Sequence, residues 1–516
     1  MRVILTSLLC LSLLGSCTSN TDPSTVGYWI DRLDDKAQRR EALKQLGKLG
    51  DPVAVPDVIE WLEQEGDWQP DAAYTLGQLG DKQAVPKLLA AIDYQVGSGR
   101  DRASRNKNRI NINAVRALAM LGAKENADRV IKLLGAGEAT VREAAIQSLG
   151  RLGNAEGTKP LIKVVLNDRQ PFLRKTAIKA LGDLGDPKAV PTLIKMLFIE
   201  VPGISFYNEA RFALIQIGKP AAPELIKTLE RKNRQVEGIT LGGGANIGEG
   251  AIEAKAASVL GYLGAKQAEG QMINALNKLY ARFKKRASAP VYASVPGAII
   301  ELCYALGNLG TPAAAKALAP LAGAEWEVDS GPIRLAAGEA LTQIGDRSAV
   351  TAMLKAAKTG DVPGRRAALA AAGRLGDASN LAAFKALAKV GGKGVPVKVM
   401  AKVVKQEAVR LEAAKECKTD LACWTDRLDD TNPKVRDKAA WELGWLGKKE
   451  AMPALLKAAE DSNAIVRMAA VLSLGRIGDV DKDKLQHIYD TWAKKLDYQG
   501  VNQELLRLIA RLSSNN

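Results

Sequence analysis

The sequence predicts an all-α protein: an α-solenoid, a superhelix of stacked antiparallel helix pairs, with about 13 repeats. The first observation is the stretch Val141–Gly153, VREAAIQSLGRLG. Counted back from its closing glycine, apolar residues fall at −8, −7, −4 and −1 (Ala145, Ile146, Leu149 and Leu152), one face of a helix. The second is its recurrence. Gly50, Gly80, Gly122, Gly185, Gly218, Gly264, Gly310, Gly345, Gly376, Gly447 and Gly478 close similar stretches. Across these twelve copies position −8 is Ala in eleven, with Leu302 the exception, and −4 is Leu in eleven, with Ala372 the exception. The third lies just past the glycine in several copies. Asp51, Asp81 and Asp186 are each trailed by a proline five residues on, a capping residue and a residue suited to a first helical turn.

The unit is therefore helix A, turn, helix B, tight turn. A small residue at −8 admits a neighbouring helix, while Leu at −4 and Leu or Ile at −1 fill the seam. The closing glycine suits the left-handed residue that ends many helices. Successive closing glycines lie 30, 42, 31, 32, 33, 46, 46, 35, 31, 71 and 31 residues apart. A base period near 31 with insertions fits a solenoid, and the longest gap hides one degenerate repeat. DPKAVPTLIKML (Asp186–Leu197) and VRDKAAWELGWLG (Val435–Gly447) resemble the HEAT-repeat family, in particular short bacterial repeats similar to the phycobilin-lyase type. The resemblance covers nearly all of residues 24–480. It implies a surface for binding other proteins and leaves the partner open.

Taken from the start, MRVILTSLLCLSLLGSC carries one positive charge and an apolar run from Val3 to Leu14, too short for a permanent membrane span. Residues 1–16 read as a lipoprotein signal peptide. Leu14-Gly15-Ser16-Cys17 resembles a bacterial lipobox, which implies lipid on Cys17; an ordinary signal peptide with an incidental Cys is the alternative. Residues 17–23 form a lipidated tether. Thr18 is not Asp, which by the same resemblance favours the outer membrane, facing the periplasm or surface exposed. Residues 24–390 form the first array, 391–400 a Gly/Pro/Lys linker, and 401–516 a second array. Its terminal helices, about 482–496 and 501–512, act as a cap. The break is supported by a recurrence: Trp29-Ile30-Asp31-Arg32-Leu33-Asp34-Asp35 returns as Trp424-Thr425-Asp426-Arg427-Leu428-Asp429-Asp430.

Two insertions interrupt the array. Gly97–Arg109, GSGRDRASRNKNR, has no apolar stripe and reads as a mobile basic loop. Val236–Gly250 is glycine-rich without a phosphate-loop pattern and reads as a flexible connection. Lys284, Lys285 and Arg286 finish a long helix A, and a Pro-containing loop over Ala287–Gly297 comes next. Lys398, Lys402 and Lys405 share one helix face in a stretch, Ala378–Gln406, with no acidic residue.

Net charge is +16, or +15 once Arg2 leaves with the signal, which favours an anionic partner without choosing one. Arg100, Arg102, Arg105, Lys107, Arg109, Lys284, Lys285, Arg286, Lys398, Lys402 and Lys405 are the candidate contacts to it. Arginine also recurs at −11, as Arg39, Arg142, Arg174, Arg334, Arg365, Arg436 and Arg467. Asp168, Asp430 and Asp461 lie at turns six residues before three of them. An ion-pair ladder between stacked repeats is the expected role; a strip for an anionic ligand is the alternative.

Of five cysteines, Cys10 leaves with the signal. Cys303 at −7 belongs to the apolar stripe and is expected as a buried thiol. Thr419 and Asp420 break the helix between Cys417 and Cys423, so in an exported chain a disulfide across that corner is expected, with two unlinked thiols the alternative. The single histidine, His487, leaves no His-based acid–base or metal site. Deoxyhypusine hydroxylase, a HEAT-repeat enzyme, holds iron with paired His-Glu motifs that this sequence lacks. No catalytic residue, metal or cofactor is expected. The reading is a lipid-anchored cell-envelope scaffold that binds a protein partner on its concave face. The alternative is a module for a polyanion: polysaccharide, lipid headgroup or nucleic acid. Nucleic acid is disfavoured by export and by a basic loop without aromatics. A phycobilin-lyase-like activity is a remote third.

Overall fold

The computed structural model describes residues 22–95, 99, 101–201, 203–239, 247–248, 250–286, 294–322, 331–359, 362–392, 394–495 and 499–514. Cys17 and Arg100 lie outside them. The chain divides into two compact units, Met1–Leu184 and Gly185–Asn516. In the first, the closing helices α1 (Arg39–Leu49), α2 (Gln69–Leu79), α3 (Arg102–Met120), α4 (Ala139–Leu152) and α5 (Pro171–Leu184) stack in chain order. The second unit repeats the pattern with α6 (Tyr207–Ile217), α7 (Ala251–Tyr262), α8 (Ser294–Leu309), α9 (Gly331–Ile344) and α10 (Val362–Leu375). It ends with α11 (Val397–Cys417), α12 (Pro433–Leu446), α13 (Ala464–Ile477) and α14 (Gln499–Ser514). One short antiparallel pair, Glu200–Val201 with Ile204–Ser205, interrupts this all-α solenoid.

The stripe does what its periodicity implies. All twelve −8 residues and all twelve −4 residues are buried, none more than 6% exposed. Eleven closing glycines are left-handed, with φ from +61° to +80°. Gly376 is the exception; its N–H bonds Ala372 O, 2.8 Å away. A close helix approach is made at −3, by a glycine against position −5 of the next closing helix. A Cβ on Gly77 would lie 2.7 Å from Ala117 Cα, and one on Gly150 3.1 Å from Ala180 Cα. Asp51, Asp81 and Asp186 each cap a 3-10 turn through a backbone N–H two residues on, and Pro56, Pro86 and Pro191 sit in the first turn of the next helix.

The duplicated Trp fragment plays one role twice. Trp29 Nε1 donates to Pro23 O at 2.8 Å and Trp424 Nε1 to Lys418 O at 2.9 Å, each acceptor six residues upstream. Gly392 and Val395 exchange backbone hydrogen bonds. Beyond them α11 packs on both α10 and α12.

Three loop readings need correction. Arg102–Arg109 opens α3: Asp101 caps it, accepting from Ser104 N–H at 2.8 Å. The helix was missed because asparagines hold its inward stripe. Buried Asn111 accepts from Asp93 N–H at 2.9 Å and donates to Asp93 O at 2.7 Å, work an apolar pattern does not register. Ser294–Gly297 belongs to α8, and Arg234–Glu237 forms a short helix with Val236 buried.

The second unit also closes on itself. Its last helix, α14, packs not only on its neighbour α13 but on α6, the first closing helix of the unit. The expected terminal cap is thus a lid that completes a ring of closing helices.

Candidate functional site

The described basic residues of the first insertion, Arg102 to Arg109, are exposed but not free of acid. Lys107 pairs with Asp93 at 3.0 Å, Arg102 approaches Asp67 at 3.8 Å and Arg109 approaches Asp71 at 3.8 Å. Arg105 stands exposed on the same helix. Lys284 and Lys285 are exposed at the end of the helix Glu269–Arg286, Lys284 lying 4.6 Å over the Tyr280 ring. Lys398, Lys402 and Lys405 are exposed on α11. These clusters sit on different elements.

The −11 arginines are held inward. Arg142 Nη1 donates to Ala136 O, Arg436 Nη1 to Asp430 O, Arg467 Nη1 to Asp461 O and Arg39 Nε to Leu33 O, at 2.7–2.9 Å. In each case the carbonyl lies six residues upstream, in the turn that precedes the helix. Arg142 also reaches Asp168 of the next repeat at 3.2 Å, and Arg436 chelates Asp461 at 2.7 and 2.9 Å. Arg174 donates to Val165 O at 2.7 Å. Arg334 and Arg365 bond carbonyls of the next repeat, Thr359 and Val390. Each guanidinium therefore ties its helix to the preceding turn or helix, or to the next repeat.

Cys417 and Cys423 are joined by a disulfide, their Cα atoms 5.3 Å apart. Lys418, at φ +49°, ends α11, and Asp420 caps the next helix by accepting from Cys423 N–H. Cys303 is a buried thiol, pushed up in pKa by burial.

Sequence reasoning missed a buried charge network where α10, α11 and α12 meet. Asp437 accepts from Arg374 at 2.9 Å and Arg410 at 2.6 Å; Arg410 and Lys434 both hold Glu407. Burial works to raise the Asp437 pKa, but Arg374 and Arg410 outweigh it and hold the carboxyl below its usual range. Lys438, fully buried, bonds Gly376 O at 2.9 Å and Glu442 at 2.7 Å, and burial pulls its pKa down to about 8. One signal was readable. Glu442 is at −5, a position held by Ala117, Ala180, Ala305 and Ala340 in sister repeats.

The second thing missed is the interior of the ring. Two adjoining cavities of about 490 and 350 Å³ lie there, lined from α6 to α14. Beside the packing of α14 on α6, its contact with α7 is polar. Tyr262 Oη donates to Glu504 at 3.1 Å, and Arg507 lies 4.1 Å over the Tyr262 ring. Burial, then Glu504, pushes the Tyr262 phenol above its ordinary pKa. On the larger cavity's wall Tyr304 Oη donates to Glu339 at 2.7 Å, with Glu301 one turn away. Trp441, Ile465, Met468 and Leu472 supply apolar surface, and Ile465 is 51% exposed. On this lining the buried atoms Arg211 Nε and Asp437 Oδ1 have no hydrogen-bond partner. Among the described residues no His, Cys, Asp and Glu cluster could hold a metal, and no helix is long and apolar enough to cross a membrane. The arrangement can bind through charge of both signs and through apolar contact.

The chain matches the profile of HEAT repeats over residues 100–171, 127–198 and 421–499, and that of the PBS lyase HEAT-like repeat over 38–64 and 71–94. No curated protein sequence matches it. Among solved structures it is similar to the CpcE–CpcF complex of phycocyanin lyase from Nostoc sp. PCC7120, at 23% identity over 39% of this chain and 80% of the other, TM-score 0.27. It is similar to human deoxyhypusine hydroxylase, at 19% identity over 62% and 96%, TM-score 0.22. Importin beta matches at 13% identity over 94% and 77%, TM-score 0.40. At these identities the likenesses say nothing of what this chain binds.

Proposed function

We propose that this HEAT-like solenoid is a lipid-anchored scaffold of the cell envelope that binds a protein partner. The observation that carries the reading is how positive charge is presented. Arg102, Lys107 and Arg109 are each answered by an aspartate of a neighbouring segment, so that surface is mixed in sign. Mixed, partly paired charge suits a protein surface steered into place, whereas a polyanion track needs basic residues left to neutralise the ligand. The stripe of Lys398, Lys402 and Lys405 beside exposed Val397 on α11 offers a second contact face. The anchor rests on Leu14-Gly15-Ser16-Cys17.

Photo-crosslinkers placed at Arg102 and at Lys402 in cells test the binding class. The expected result is a discrete protein adduct in the membrane fraction. Cys17→Ala should move that adduct to the soluble fraction or leave the chain unprocessed. Adducts with glycan or lipid alone would favour the polyanion alternative.

A further inference from the structure

We propose that the cavity inside the second unit binds a small zwitterion, a short peptide with free termini and apolar side chains. The ring leaves buried atoms of its wall unanswered. Arg211 is only 6% exposed and Asp437 is fully buried, yet Arg211 Nε and Asp437 Oδ1 lack hydrogen-bond partners. Burying such atoms unpaired costs on the order of 1–3 kcal/mol each, so a site that keeps two of them is built to have them met. They are opposite in sign and line one cavity.

The remaining charges of the wall sort in the same way. Arg374 is committed to Asp437 through its other oxygen, and Arg507 to Glu504. Arg211 touches Tyr207 Oη at 3.4 Å and stacks 4.9 Å from that ring, contacts that orient a guanidinium without neutralising it. It is suited to a carboxylate. Glu301 and Glu339 flank Tyr304 and, with Asp437, offer acceptors for an ammonium group. Between the charged groups Trp441, Ile465, Met468 and Leu472 supply apolar contact. A cavity of about 490 Å³ falls in the range of pockets that enclose drug-sized ligands, larger than a single amino acid requires. A peptide of about two or three residues has this size and this charge pattern. Closure of α14 on α6 and α7 would shield such a ligand from water, which strengthens both charge contacts.

Isothermal titration with trileucine, its N-acetyl form and its C-terminal amide tests the proposal. Saturable binding of trileucine is expected, weakened at least tenfold by either cap. Arg211→Met should weaken trileucine to the level of its amide and become insensitive to amidation. Glu301→Gln with Glu339→Gln should do the same for acetylation. Ile465→Trp, at a partly exposed position, should block all binding while leaving the melting curve unchanged. Absence of trileucine binding, or equal binding of the capped forms, would overturn the proposal. So would Arg211→Met, or the paired Glu301 and Glu339 change, weakening all three peptides alike. Partner crosslinking from Arg102 and Lys402 reads a separate surface and does not depend on the outcome.

Discussion

Gly261 of α7 faces Ala305 of α8 so closely that a Cβ on Gly261 would lie 2.7 Å from Ala305 Cα and 2.8 Å from its carbonyl oxygen. Gly307 repeats the relationship with Ala340 of α9, 3.0 Å from Cα. At these points the stack is set backbone to backbone, and the close contact is made by the residue type least able to obstruct it.

Gly261→Ala should destabilise the second unit by about 1–3 kcal/mol in urea unfolding, because a backbone rather than a flexible side chain must move. That loss exceeds the roughly 1 kcal/mol that alanine returns in helix propensity. Gly270→Ala, in open space near the start of its helix, is the control and should be neutral or stabilising. Equal melting of the two variants would contradict the packing account.

Most of the fold was legible in the sequence because one pattern, Ala at −8 and Leu at −4 with the exceptions Leu302 and Ala372, names the buried face of twelve closing helices, all but α11 and α14. What escaped has physical reasons. The opening of α3 hides its stripe in Asn108 and Asn111, which are buried by hydrogen bonding rather than by hydrophobicity. In the network of Asp437, Lys438 and Glu442 only Glu442 departs from a mostly small position, since sister repeats also carry charge at −10 (Glu143, Lys175) and −9 (Glu41, Lys255), and pairing of Asp437 with arginines from other helices has no local spacing. Ring closure depends on curvature summed over many repeats, and the contact that seals it joins Tyr262 to Glu504 across 242 residues. No periodicity reports that. The cavity is a consequence of closure and was invisible with it.

Arg436 holds a turn carbonyl and both oxygens of Asp461, with only 14% of its side chain exposed. Arg436→Ala should lower stability by about 1–3 kcal/mol, the range for buried charge-assisted bonds. Lys457→Ala, which removes the exposed pair with Asp429, should change little. Thermal melts decide between them; weaker partner capture with unchanged melting would make the ladder a ligand strip.

Lys438 makes a prediction about pH. Its folded pKa is about 8, lowered by burial from an ordinary 10.5. Below pH 8 both states hold the proton and the folded state bears the cost of a buried charge. Between about 8 and 10.5 the native state releases a proton that the unfolded chain keeps, so stability rises with pH. Lys434, also lowered to about 8 by burial, adds to the rise. Chemical unfolding at pH 7.5 and 9.5 should show this increase, and Lys438→Met should reduce it. The same slope in both proteins would contradict the assignment.

The central claim is that positive charge steers a protein partner rather than neutralising a polyanion. The measurement that tests it most directly is the salt dependence of binding by the crosslinked partner, compared with heparin and lipopolysaccharide retention. It is made on the native chain and on one with Arg100, Arg102, Arg105, Lys107 and Arg109 replaced by Gln. A protein partner predicts a shallow salt dependence carried mainly by the association rate, and a moderate loss in the variant. Affinity that falls steeply with salt, together with complete loss of heparin or lipopolysaccharide retention while protein partners stay bound, would contradict it.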